Sequence, residues 1–245
     1  MNTDYRDTLY KNYHSTQSGR AGRKDKLILW EQEKLQFSYE ILPLLKHLPK
    51  NAVICDVGCG SGSLLAALKD AGFTHAFGVD VSPEQIAFAK EMGQQNVYCQ
   101  DFFDYLKEND LKCDVVLGMD IIEHFTKTEL VGFLQDMKKS LNEGGMVLFR
   151  TPNLDAPMST VFANGDFTHE NYMNQSSAEQ VVLASGFTQV QVSPSFMRTQ
   201  GVFKELIRKV FYKLLVFHLK LQLFATARST KGVIFTPNLI IKGTI

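Results

Sequence analysis

The chain has 245 residues, 44% of them hydrophobic and 21% charged, the proportions of an ordinary globular protein with room for one α/β domain and additions. Residues 1–20 are polar and hold no apolar h-region, so no secretory signal is visible and a cytoplasmic protein is expected. The net charge is zero, yet residues 198–245 hold nine Lys/Arg against one acid (+8), so residues 1–197 stand at −8; an acidic body lacks the basic footprint of a nucleic-acid binder, and no nucleic-acid partner is expected.

In chain order, residues 1–26 are polar and carry Tyr5, Tyr10 and Tyr13, an arm or a lid over a cofactor. Residues 27–47 read as a helix, with Leu27, Trp30, Leu35, Tyr39 and Leu42 as partly periodic apolar positions. Residues 1–47 thus form an N-terminal arm and helix, ahead of a core over 48–195. Ala52-Val53-Ile54-Cys55 is a short apolar run, as a strand covered on both faces should be. Gly58, Gly60 and Gly62 follow, and Ser63 opens a helix whose N-terminus offers free N–H groups. A dinucleotide fingerprint has the form G-x-G-x-x-G; here the third glycine comes one residue early. Asp56 sits just before the loop, where a carboxylate repels a pyrophosphate but accepts from an ammonium. S-adenosylmethionine (SAM) carries an ammonium and a sulfonium and no phosphate, so these residues favour SAM over NAD.

A second strand over 75–80 ends on Asp80, an acid that can take both ribose hydroxyls. Ser82 is an expected N-cap and Pro83 the first helical residue. After a strand over 96–100, Asp101 can bond an adenine amino group while Phe102 packs on the base. The alternative is that each acid is a helix cap. Strands and helices alternate to about 151, which predicts a parallel sheet with helices on both faces. A helix over 129–141 and a turn at Asn142-Glu143-Gly144-Gly145 lead into a strand over 146–150. Residues 152–173 have weak periodicity, and a loop that long is functional or disordered. A helix over 176–185 is stopped by Gly186, and 187–193 and 231–241 read as an antiparallel edge pair, with 231–245 holding the last core strand. The four cysteines (Cys55, Cys59, Cys99 and Cys113) match no zinc or C-x-x-C spacing and read as buried free thiols.

Between the last two strands, 196–230 is a helical insertion. Phe203, Leu206, Ile207, Val210, Leu214, Phe217, Leu221 and Phe224 follow helical spacing, flanked by Lys204, Arg208, Lys209, Lys213 and Lys220. Charge breaks the run too often for a bilayer span. Two readings stand: peripheral contact with the inner face of a membrane, or packing on its own domain or on a second copy as a homodimer through 196–229.

At these residues the chain resembles the class I SAM-dependent methyltransferases. DVGCGSG resembles their first motif, GVDVSPEQIAFAK their second, QDFF their third, KCDVVLGMDIIEHF the fourth strand and its loop, and LNEGGMVLFRTPN the fifth. Within the class, EQIAFAK, DIIEHF and GDFTHE are most similar to bacterial sugar or polysaccharide methyltransferases, and DIIEH also to ubiquinone-type O-methyltransferases. The resemblance implies a Rossmann-like doubly wound sheet of seven strands, mostly parallel with an antiparallel edge strand. It implies a SAM site made of Asp56, Gly58, Gly60, Gly62, Asp80, Val81, Gln85, Asp101, Phe102 and Met119.

Methyl transfer from SAM is an in-line displacement, and a hydroxyl acceptor needs a base for its proton. His124 is the first choice, because imidazole titrates near neutrality; Asp120, four residues earlier, shares its face on a short helical turn. In the ubiquinone-type enzymes the matching acids and histidine can hold a divalent cation, which implies an Asp120, Glu123 and His124 set here. A capped turn with no chemistry is the third reading. In GDFTHE, Asp166 and Glu170 can bind sugar hydroxyls, His169 can replace His124 as base, and Phe167 and Tyr172 can stack on a sugar face; a self-bonded Ω-loop is the alternative. Arg150 and Asn153 point into the pocket or serve a surface ion pair. The expectation is a SAM-dependent methyltransferase acting on a hydroxyl of a nucleotide-sugar or lipid-linked glycan of surface polysaccharide assembly. The alternatives are a quinone-like aromatic acceptor, or a binding protein without turnover, which intact Asp56, Asp80 and Asp101 argue against.

Overall fold

The computed structural model describes residues 5–11 and 23–245. Tyr13 of the expected arm lies outside the described residues, as does the side chain of Tyr10. The sheet is built from β1 (Val53–Val57), β2 (His75–Asp80), β3 (Val97–Cys99), β4 (Cys113–Met119), β5 (Leu141–Pro152), β6 (Gln189–Ser195) and β7 (Asn238–Thr244). Its order is β3-β2-β1-β4-β5-β7-β6. Strands β1 to β5 pair in parallel. The expected antiparallel pair forms as well: β7 runs antiparallel to β5 on one side and to β6 on the other.

Adjacent strand residues face opposite sides of a sheet, and β1 shows the consequence. Ile54 joins Leu64, Leu68, Leu117 and Leu148 in one core, while Cys55 joins Val116, Phe149, Leu134 and Met137 in the other. The first core lies under α2 (Arg23–Glu40), α3 (Leu42–Leu45), α4 (Ser63–Asp70) and α5 (Pro83–Glu91). The second lies under α6 (Phe102–Glu108), α7 (Lys127–Lys139) and α9 (Gln175–Ala184). Cys55, Cys59 and Cys113 are buried free thiols as expected, whereas Cys99 is exposed.

Several boundaries differ from the sequence reading for visible reasons. The helix over 27–47 is two helices, because Pro43 opens α3 and cannot continue α2. Helix α7 starts at Lys127, where Thr126 and Glu129 close a capping box. The last strand begins at Asn238 rather than 231, after Pro237, which has no N–H for a ladder. The loop over 152–173 is ordered by bonds to residues 122–125 and 234–237 and by a short helix, α8 (Ser159–Ala163). The insertion is α10 (Val202–Ala225), none of whose residues is buried. Among the described residues no helix is long and apolar enough to cross a membrane. The helix α1 (Tyr5–Lys11) meets the loop before α9: the Tyr5 hydroxyl donates to Glu170, and Arg6 pairs with Glu129 at 2.8 Å.

Candidate active site

The carboxyl ends of β1 to β5 share one edge, and the strand order reverses between β1 and β4, the place where such sheets bind ligands. A cleft of about 1530 Å³ opens there, walled by the glycine loop, α2, the ends of β2 and β4, and residues 197–205 ahead of and into α10. The loop needs its glycines: Gly58, Gly60 and Gly62 all have positive φ, and a Cβ at Gly58 would meet Ile121 Cδ1 at 2.8 Å. Helix α2 clasps the loop from above. Trp30 Nε1 donates to Ser61 O at 2.9 Å and Ser63 Oγ to Glu33 at 2.6 Å. The motif did not reveal Trp30 and Glu33, since both come from outside it.

Asp80 lies across from the loop and holds it: Gly60 N donates to its Oδ2 at 2.9 Å and Ser82 N to its Oδ1 at 2.8 Å. Burial raises its pKa and those two bonds lower it, the net shift being upward. Asp56 is 2% exposed, and its carboxylate makes no hydrogen bond with the described residues. Burial raises its pKa well above the usual carboxylate value, Asp80 and Glu33 add to that, and Arg150 opposes them. Three carboxylates around one cleft call for a cation. The ammonium and sulfonium of SAM fit that demand, and a pyrophosphate does not.

The remaining expected cofactor residues surround this group. Val81, Gln85, Asp101, Phe102 and Met119 all line the cleft. Asp101 is also a helix cap, as the alternative had it: its Oδ1 accepts from Phe103 N and Asp104 N. Gln85 Oε1 is buried without a partner among the described residues.

The fourth-strand loop departs from expectation at Asp120. It lies outside the helical turn, which runs only over Ile122–His124, and its φ is +54°. It therefore does not share a face with His124. Its carboxylate instead accepts from Arg150 Nε at 3.1 Å and from Arg150 Nη2. Arg150 also reaches Glu40 at 3.3 Å and lies over the Phe37 ring, while Glu40 accepts from the Ser195 hydroxyl. Arg150 thus lines the cleft, as expected, and at the same place ties Asp120 to Glu40. Asn153 is corrected as well. Its amide donates to Ile234 O at 2.8 Å and Thr236 O at 2.9 Å, and its Oδ1 accepts from Asp155 N, so it anchors a loop.

His124 lines the cleft. The loop over 163–173 is stitched beneath it: Glu170 N and Asn171 N donate to Glu123 O, and Asn171 Nδ2 donates to Ile122 O and Phe125 O. This places buried Thr168 2.8 Å from His124 Nδ1 and 2.7 Å from Asp166 Oδ1. The Thr168 hydroxyl has one proton. Donated to the Asp166 carboxylate, it leaves an oxygen that accepts from Nδ1–H, which puts the lone pair of the neutral His124 ring on Nε2. Burial, followed by His169, lowers the His124 pKa, so the ring is neutral and basic at neutral pH. The His169 ring sits edge-on to it at 4.8 Å, with Nδ1 donating to Ala163 O at 2.8 Å.

Among the described residues, the donor set close enough for one cation is Glu123, His124 and His169, with ligand atoms all within 4.8 Å of one another. His169 takes the place expected for Asp120. Glu123 is buried, with Oε2 accepting from Thr151 and Oε1 without a partner among the described residues; burial and then Asp120 raise its pKa well above the usual value. Of the expected sugar contacts, Asp166 is engaged by Thr168, Glu170 is held by Tyr5, and the Tyr172 hydroxyl donates to Asn164 at 3.2 Å. These engagements favour the self-bonded loop. Phe167 is 83% exposed, beside Tyr5 at 6.1 Å between ring centroids.

Residues 29–192 match a family model described as a methyltransferase domain. The chain belongs to that family of methyltransferase domains. A ubiquinone biosynthesis O-methyltransferase of Rickettsia conorii is 29% identical over 61% of this chain and 51% of its own length. A tRNA (carboxymethyluridine(34)-5-O)-methyltransferase of Mus musculus is 29% identical over 44% of this chain and 16% of its own. The chain thus spans about half of one of these curated relatives and about a sixth of the other. Among solved structures, a SAM-dependent methyltransferase from Archaeoglobus fulgidus shares the fold at a TM-score of 0.64 and 19% identity, covering 89% of this chain and 99% of its own.

Proposed function

We propose that this methyltransferase acts on a hydroxyl group, with His124 as the base that receives the hydroxyl proton. The observation that carries this reading is the Asp166–Thr168–His124 chain, which fixes the imidazole tautomer at the cleft wall. Asp56, Asp80 and Glu33 hold the cofactor's cationic and ribose groups, and Asp101 and Phe102 meet its base. When bound, SAM supplies an electrophilic methyl on a sulfonium. His124 Nε2 takes the acceptor proton as the oxygen–carbon bond forms and the carbon–sulfur bond breaks.

For the acceptor we infer a sugar hydroxyl on a nucleotide-sugar or lipid-linked glycan of surface polysaccharide assembly. The resemblance of EQIAFAK, DIIEHF and GDFTHE supports it, as does the exposed Phe167 ring beside Tyr5, a stacking platform for a sugar face. A second reading, a quinone-like aromatic acceptor, is favoured by the close-set Glu123, His124 and His169 donors and the unpartnered Glu123 Oε1. There a divalent cation would bind the acceptor oxygen and lower its pKa.

The test uses SAM labelled on its methyl group, incubated with the protein and with nucleotide-sugar, lipid, protein and RNA fractions of the source cells. Label in nucleotide-sugars or lipid-linked glycans, absent with Asp80→Ala, supports the sugar reading. Label in quinone lipids that a chelator abolishes supports the second. Label confined to protein or RNA overturns both.

A further inference from the structure

Helix α10 has two unlike faces. Glu205, Arg208, Tyr212, Val216, Leu219 and Leu223, spaced by three or four residues, are half-buried, and Tyr212 meets Phe196 edge-on at 6.4 Å between ring centroids. The opposite face is Phe203, Leu206, Val210, Leu214, Phe217 and Leu221, all exposed. At 3.6 residues per turn, Lys209, Lys213 and Lys220 fall within about 40° of one another along one border of that stripe. The stripe runs most of a helix roughly 36 Å long. An apolar face of this length, left in water beside a row of lysines, marks an interaction surface.

We propose that α10 lies in the plane of an anionic lipid surface, with its apolar stripe among the acyl chains and its lysines at the headgroup phosphates. The charge pattern selects this occupant. Lysines bordering an apolar stripe extend their stems along it and keep their ammonium groups among phosphates. A second copy is the poorer match. In a twofold antiparallel pairing the same border of each helix meets its twin, setting lysine against lysine. The one acid of the segment, Glu205, is shared by Arg208 at 2.7 Å, the Thr199 N–H at 3.1 Å and Lys209 at 3.8 Å. Anionic headgroups supply counter-charge along the rest of the row, at Lys213 and Lys220, and the +8 balance of residues 198–245 favours them over the −8 remainder of the chain.

Residues 197–202, Lys204 and Glu205 line the cleft, so docking sets the cleft beside the bilayer. That the acceptor is drawn from the same surface rests on the acceptor reading above; the docking itself does not. The experiment is co-sedimentation of the full chain with phosphatidylcholine vesicles, with and without phosphatidylglycerol, and with no acceptor present. The protein should bind the anionic vesicles, less as salt is raised, and bind pure phosphatidylcholine weakly. Leu214→Glu with Phe217→Glu, both on the exposed stripe, should weaken binding at least tenfold while SAM binding is unchanged. Lys209→Gln, Lys213→Gln and Lys220→Gln together should weaken it by roughly a hundredfold. Wild-type protein left in the supernatant with both vesicle types overturns the proposal. So does stripe-variant binding equal to wild type, or a dimer that the stripe variant dissociates while vesicle binding is absent. A wrong acceptor assignment leaves the vesicle result unchanged.

Discussion

Burying a carboxylate costs free energy, and Asp56, 2% exposed and with no hydrogen bond to the described residues, is such a group. Its raised pKa means that the ligand-free protein favours the protonated form. That contribution to stability is complete below the ordinary carboxylate range and is lost as pH rises through the raised value. Asp56→Asn should therefore leave the ligand-free protein as stable as wild type or more so at neutral pH, by about 2–4 °C in Tm per kcal/mol. The same variant should lose the Tm rise that SAM gives. Thermal unfolding with and without SAM checks both. In wild type, SAM affinity should fall as pH drops through the raised Asp56 pKa, because the cationic cofactor needs the ionised form. His124 gives a second prediction. Its lowered pKa keeps it neutral, so kcat/KM should stay flat through neutrality and drop only at lower pH. Thr168→Val should lower the plateau of that profile about tenfold with SAM affinity unchanged. Asp56, Asp80 and Asp101 were legible in sequence because a strand followed by a turn places its last acid at one sheet edge. The bond between Thr168 and His124 was not, since it joins residues 44 apart through a loop with no periodicity.

Between elements, the Arg150 tie joins α2, β5 and the β4 loop through Glu40 and Asp120. Arg150→Ala should be strongly destabilising, by roughly 3–5 kcal/mol, because it leaves Glu40 buried without its cation. Denaturant unfolding of the variant checks this; a loss under about 1 kcal/mol, the range of an exposed pair, contradicts it. No sequence pattern announces a tie across 110 residues. Helix α10 is the opposite case: its apolar stripe and basic border were readable because helical periodicity needs no partner to be seen. The break between α2 and α3 was missed although Pro43 marks it, since the apolar spacing of 27–47 runs on past the proline.

At the scale of the whole molecule, strand–helix alternation was enough to indicate a parallel sheet with two cores, and the observed order supplies the switch point at β1 and β4. Alternation could not place the start of β7, which follows a long insertion and pairs with strands distant in sequence. The glycine loop, α2 and the strand ends meet to gather Asp56, Asp80 and Glu33 around one cleft, and the central claim is that this cleft selects a cation. Isothermal calorimetry of SAM and of NAD against wild type and Asp80→Ala tests it most directly. The prediction is SAM binding by wild type, weakened at least tenfold in the variant, with no NAD binding to either. NAD binding by wild type, or SAM binding indifferent to Asp80, would contradict it.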